Sequence, residues 1–209
     1  GASLSPDNEE QELSRKALSH LCRVDLITSR EPRSTRFLNN RGLSENVVQC
    51  ADPAYLVSIE DGVSAPHSRR LTIGVNLSPL SIKHSDPRVT IDRAAYAQGR
   101  ALAHLVESLQ AEIVLIPHVV CDSSERDDDL RYLKRIFISL PRSIRGRVSL
   151  AVEATSFREA KKLLRTCDIV LAARMHCAIN AITEGVPTIL LAYSPKAYGM
   201  AEYVYGDHK

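Results

Sequence analysis

The sequence predicts an α/β protein whose main body is a Rossmann-like parallel sheet, and three observations carry that prediction. From residue 71 onward, short β-branched runs alternate with amphipathic stretches of helical length. The strand candidates are apolar almost end to end, the pattern of a parallel sheet covered on both faces and not of a half-solvated antiparallel one. Helix-capping residues stand where the periodicity changes.

Taken in order, the strands are "LTIGVNL" (71–77), "EIVLIPHV" (112–119), "RVSLAVE" (147–153), "DIVLAAR" (168–174) and "PTILLAY" (187–193). Between them, apolar residues at three- and four-residue intervals predict helices at about 91–110, 127–140, 156–166 and 175–184. Ser156 followed by Glu159 is a capping box, and Gly185 with Pro187 closes the last of these helices. Upstream lie a polar lead-in helix (about 6–22), a strand "VDLITSR" (24–30), a helix from Pro32 to near Gly42, and the run "NVVQCADPAYL". These form two αβ units, too few to close a core. Residues 1–65 are therefore expected to be the C-terminal portion of an incomplete N-terminal α/β domain plus linker, and 66–209 a Rossmann-like C-terminal domain. The linker is "SIEDGVSAPHSRR" (58–70), which has no periodicity and several turn formers. The tract "SSERDDD" (123–129) reads as a solvated loop and helix N-terminus. Gly1-Ala2-Ser3 has neither an initiator Met nor an apolar signal region and reads as an expression scar or cut site, so the chain is expected to be a piece of something longer.

Composition narrows the function classes. Hydrophobic residues make up 44% and charged residues 25% of the 209, as in a soluble globular protein, and no apolar run approaches a membrane span. Lys and Arg (27) nearly balance Asp and Glu (25) and are interspersed with them, which argues against nucleic-acid binding. The five cysteines show no C-x-x-C spacing and fit a reduced, cytoplasmic compartment, with peripheral attachment at the inner face of a membrane compatible.

In an open parallel sheet, ligands bind beyond the carboxyl ends of the strands, where helix N-termini converge. The polar residues there are Arg30, Asn76, His118, Glu153, Arg174 with His176, and Tyr193 with Lys196. Most are or can become cationic, which favours an anionic ligand. An Arg or Lys holds charge permanently, whereas a His can also move a proton. Each has a plainer reading: His118 as a hydrogen-bonded structural residue, Lys196 as a loop lysine, Arg30 as a salt-bridge partner of Glu31 or Asp52, Glu153 as a helix cap, Cys177 as a small core residue. No metal-ligand spacing, P-loop, G-x-G-x-x-G or G-x-S-x-G is present, so no metal and no cofactor are expected.

The stretch "DIVLAARMHCAINAITEGVPTILLAYSPKAYG" resembles the C-terminal signature of the polysaccharide pyruvyl transferase family, R-x-H, then G-V-P, then Y-x-x-K. "TSREPRSTRFLNNRG" is similar to that family's R-[DE]-x-x-S-x-x-x-L element, and "ADPAYL" and "IGVNL" to its D-P-A and I-G-V-N segments. The resemblance covers roughly residues 24–205. It implies a two-domain, glycosyltransferase-B-like enzyme of which this chain is the C-terminal half. Such an enzyme transfers the enolpyruvyl unit of phosphoenolpyruvate, the donor substrate, to a glycan or lipid-linked sugar, forming a pyruvate ketal. Carried over, it implies His176 as the catalytic group and Arg30 and Lys196 as donor-binding cations, with Arg174 in the same motif. Asn76 and His118 join the substrate-binding candidates by their strand-end positions. On this reading Arg174, His176 and Lys196 line one wall of an anion pocket and Arg30 the facing wall. The competing readings are a nucleotide-sugar glycosyltransferase of the same architecture and a non-catalytic sugar- or anion-binding module. Oligomeric state is not legible in the sequence.

Overall fold

A computed structural model of the chain describes residues 8–57, 59, 70–84, 88–121, 123–124, 127–153 and 156–206; most of the expected linker lies outside them. The elements are α1 (Asn8–Leu21), β1 (Ile27–Ser29), α2 (Pro32–Asn39), β2 (Val47–Gln49), β3 (Thr72–Asn76), α3 (Ile91–Leu109), β4 (Glu112–Leu115), α4 (Asp129–Ser139), α5 (Arg142–Arg145), β5 (Val148–Leu150), α6 (Phe157–Leu164), β6 (Ile169–Ala172), α7 (Met175–Thr183), β7 (Thr188–Leu190) and α8 (Pro195–Tyr205). They fall into two compact units. One runs to Pro53 and resumes at Ser194; the other spans Ala54–Tyr193.

In the first unit β1 and β2 pair in parallel, Ile27 opposite Val47. Glu31 opens α2: its extended backbone turns the carboxylate onto the N–H groups of Arg33 (2.8 Å) and Ser34 (2.7 Å), with Pro32 in the first turn. The same two devices, an N-cap Ser194 and Pro195, start α8. Glu202 of α8 accepts from both guanidinium arms of Arg36, at 2.6 and 2.9 Å, and from Nε of Arg33 at 3.3 Å, which pins α8 to α2. Gly199 lies in α8 where a Cβ would stand 1.9 Å from the Glu31 carboxylate oxygen, so only glycine admits this approach.

The second unit is the α/β body. Its five-stranded sheet has the order β5-β4-β3-β6-β7, all parallel. Because neighbouring strand residues point to opposite faces, the strands feed two cores. Ile73, Val75, Ile113 and Leu115 pack with Leu102, Val106, Leu133 and Ile136 of α3 and α4. Val170 and Ala172 pack on the opposite face with Ala160, Leu164, Cys177 and Ala178 of α6 and α7. Gly74 sits mid-sheet between Val114 and Val170, where a Cβ would come within 2.8 Å of the Cys167 sulfur.

Caps set the helix starts: Thr90 for α3, Asp128 for α4, and the Ser156–Glu159 box for α6, with both reciprocal bonds formed. Gly185, at φ +74°, ends α7 in a left-handed turn closed by Val186 N–H to the Ala181 carbonyl at 3.0 Å. One expectation is corrected here. The tract ending in Asp127-Asp128-Asp129 is not solvated throughout, since Asp128 and Asp129 are 2% and 0% exposed. Asp128 is turned inward as the cap of α4, and Asp129 meets an arginine from another element.

Candidate functional site

The sheet order reverses at β3, which has its sequence neighbour β4 on one side and β6, two crossovers later, on the other. This is the switch point where open α/β sheets leave a crevice at the strand C-termini. The residues converging there are Asn76 at the end of β3, His118 just past β4, Asp129 opening α4, and Arg174 with His176 spanning the β6–α7 turn.

Asn76 is fully buried and spends its whole amide inside the protein. Oδ1 accepts the Arg174 backbone N–H (2.9 Å), and Nδ2 donates to the Ile116 carbonyl (3.0 Å) and to Asp129 (3.3 Å). Asn76 thus braces the turn rather than offering its amide outward. Arg174 is equally committed: Nε and Nη2 donate to Asp129 Oδ1 at 3.0 and 2.8 Å, and Nη2 also to the Asp127 carbonyl at 2.9 Å. Occupying the N-cap position of α7, it gives that helix no side-chain cap, because a guanidinium has no acceptor for the free N–H groups. Asp129 Oδ2 further accepts the backbone N–H groups of His118 and Val119, at 3.2 and 3.1 Å.

His176 is partly buried in the first turn of α7, and Asn180 follows one turn later on the same helix face. Asn180 is fully buried, with its Nδ2 3.4 Å from His118 Nε2. Phe157 stands edge-on to the His118 ring. Burial first, then the nearby charges of His176 and Arg174, push the His118 imidazole down to about 4, so it is neutral at pH 7. Tyr193, ending the unit, is pushed upward chiefly by burial while it bonds Ser78. Cys177 is completely buried, and that burial raises its thiol far above the normal range, which leaves it inert as a nucleophile and suits a core role.

The remaining sequence candidates stand on other elements. Arg30 pairs with the buried Asp52 at 2.5 Å, the partner anticipated as an alternative. Lys196 is exposed in the first turn of α8 and belongs, with Arg30, to the first unit, whereas Arg174 and His176 belong to the second. Glu153 is exposed, and α6 takes its cap from Ser156. Sequence reasoning missed Asp129 and Asn180. No local signal marked Asp129, because the arginine that pairs with it lies 45 residues further on.

The His118 environment has a measurable consequence. A folded-state value near 4 against 6.5 unfolded means the unfolded chain binds the extra proton between those values, so stability is full above about pH 6.5 and falls as pH drops toward 4. The loss reaches on the order of 3 kcal/mol at about 1.4 kcal/mol per pH unit. Thermal denaturation of His118→Gln should show a markedly shallower decline over that window than the unsubstituted protein; parallel curves would refute the assignment.

With the geometry in place, comparison with known proteins adds the lineage. A family model described as polysaccharide pyruvyl transferase matches residues 1–195. The amylovoran biosynthesis protein AmsJ of Erwinia amylovora is 23% identical over 191 residues, which cover 85% of this chain and 45% of that protein. The chain therefore spans less than half the length of the curated relative it matches. Among the described residues no helix is long and apolar enough to cross a membrane.

Proposed function

The chain belongs to the polysaccharide pyruvyl transferase family, and from that premise we propose that it serves the transfer of the enolpyruvyl unit of phosphoenolpyruvate to two hydroxyls of a glycan, with release of phosphate. The observation that supports this most is the setting of His176: a partly buried imidazole on a helix N-terminus at the switch point, beside a second imidazole, His118, that burial keeps neutral. That arrangement suits one histidine to proton transfer and the other to shape.

The reaction requires a proton at C3 of the donor, which turns the methylene into a methyl group and leaves an oxocarbenium-like centre at C2. One sugar hydroxyl adds to C2. The C2–O bond to phosphate then breaks, and the second hydroxyl adds to close the ketal. The two hydroxyls lose two protons, which balance the one gained by C3 and the one carried off on phosphate. His176 is assigned the proton delivered to C3, with the N-terminal dipole of α7 favouring the donor's negative charge nearby. Arg30 and Lys196 are assigned to the donor's carboxylate and phosphate by the motifs in which they stand, Arg as a planar fork and Lys as a point charge. Asn76 and Arg174 hold the turn in place.

The test is phosphate release from phosphoenolpyruvate by the full-length protein across a panel of acceptor glycosides. Acceptor-dependent release is the expected result. A calorimetric response to UDP- or CMP-sugars with none to phosphoenolpyruvate would move the protein to nucleotide-sugar chemistry.

A further inference from the structure

We propose that Asp129 is a positioning residue for this reaction, acting through Arg174 to fix the β6–α7 turn that carries His176; the proposal rests on the reading of His176 given above. Asp129 is completely buried, and its carboxylate is the meeting point of separate chain segments. Oδ1 takes the Arg174 fork, while Oδ2 takes the N–H groups that follow β4 and the Asn76 amide that ends β3. Asn76 completes the loop by accepting the Arg174 backbone N–H. The Arg174 fork and the Asn76 Oδ1 bond fix the side chain and the main chain of the residue two places before His176, and the other bonds anchor Asp129 to the ends of β3 and β4. A guanidinium so engaged cannot turn to a donor anion without taking the counter-charge from the buried Asp129 carboxylate, so the arginine of the R-x-H motif orients rather than binds. His176 itself touches the donor in this scheme; Asp129 never does.

The experiment compares Asp129→Asn with the double variant Asp129→Asn/Arg174→Met in the full-length protein. Turnover is read as phosphate released from phosphoenolpyruvate with para-nitrophenyl glycosides as acceptors, alongside Tm. Asp129→Asn should lower Tm by several degrees and kcat by about 10–10²-fold, the range for a misplaced catalytic group, with the KM for phosphoenolpyruvate within about twofold of its starting value. The double variant removes both buried charges and should recover most of the Tm, yet kcat should stay low. Recovery of kcat together with Tm would reduce Asp129 to a structural role, and a raised KM with unchanged kcat would make the pair a donor-binding site; either result overturns the proposal. A readout independent of turnover is the His176 ring resonances in protein labelled with 15N-histidine, assigned by loss in His176→Gln. They should shift or broaden in the double variant, and an unchanged signal also overturns the proposal. His176→Ala in the same assay separates the two readings: normal turnover there sinks the catalytic assignment, whereas the ring signals still decide whether Asp129 holds the turn.

Discussion

His176→Ala should lower kcat for pyruvyl transfer by about 10²–10⁴-fold, the usual contribution of a positioned general acid or base. The KM for phosphoenolpyruvate should move little, because the donor's charges are assigned to Arg30 and Lys196. The fold should survive: His176 is only partly buried at a helix start, and alanine is a good helix former. Two measurements separate this from simple anion binding. His176→Gln keeps hydrogen-bonding capacity without a titrating proton, so kcat should fall nearly as far as in the alanine variant. If the Gln variant instead raises KM and leaves kcat alone, the imidazole holds phosphate and does not move a proton.

Glu184→Ala should destabilise the second unit by about 3–5 kcal/mol, the range for breaking a buried ion pair from one side. Lys161, whose side chain is 2% exposed, meets Glu184 at 3.2 Å and also donates to the Val57 carbonyl. Removing the glutamate strands an ammonium in the interior with one neutral acceptor. The reverse change is milder: Lys161→Met leaves an apolar stem of similar length, and Glu184 keeps Arg165 at 3.3 Å. Chemical denaturation should therefore rank Glu184→Ala well below Lys161→Met, and equal losses would show that the pair is not what holds α6 to the end of α7.

The parallel sheet was legible because its signals are local. Apolar runs of strand length, the Ser156–Glu159 box and the Gly185 stop are each contained within a few residues, and the structure uses them as written. Two features were not legible, for different reasons. No helix was read after Tyr193, where Lys196 was weighed as a loop lysine; α8 holds Gly199 for the Glu31 carboxylate, which no window around residue 199 contains. Asp129 looked solvated because it stands in a run of acids, and the Arg174 guanidinium that neutralises it lies 45 residues away. In the same way Arg174 was read as a free cation. Charge that is neutralised by a distant partner has no signature in local composition.

The Asn76–Arg174 hydrogen bond spans 98 residues, and this puts a timetable on the molecule. During synthesis β3, β4 and β5 emerge first and can pair, but they leave β3 with one edge open at what will become the middle of the sheet. Open edges are where chains mispair. Until β6 is made, Asp129 has no counter-charge and Asn76 no N–H to receive. The segment that closes the edge also delivers Arg174 and His176, so one stretch of chain supplies both the missing middle strand of the sheet and the turn proposed to carry the proton-transfer group.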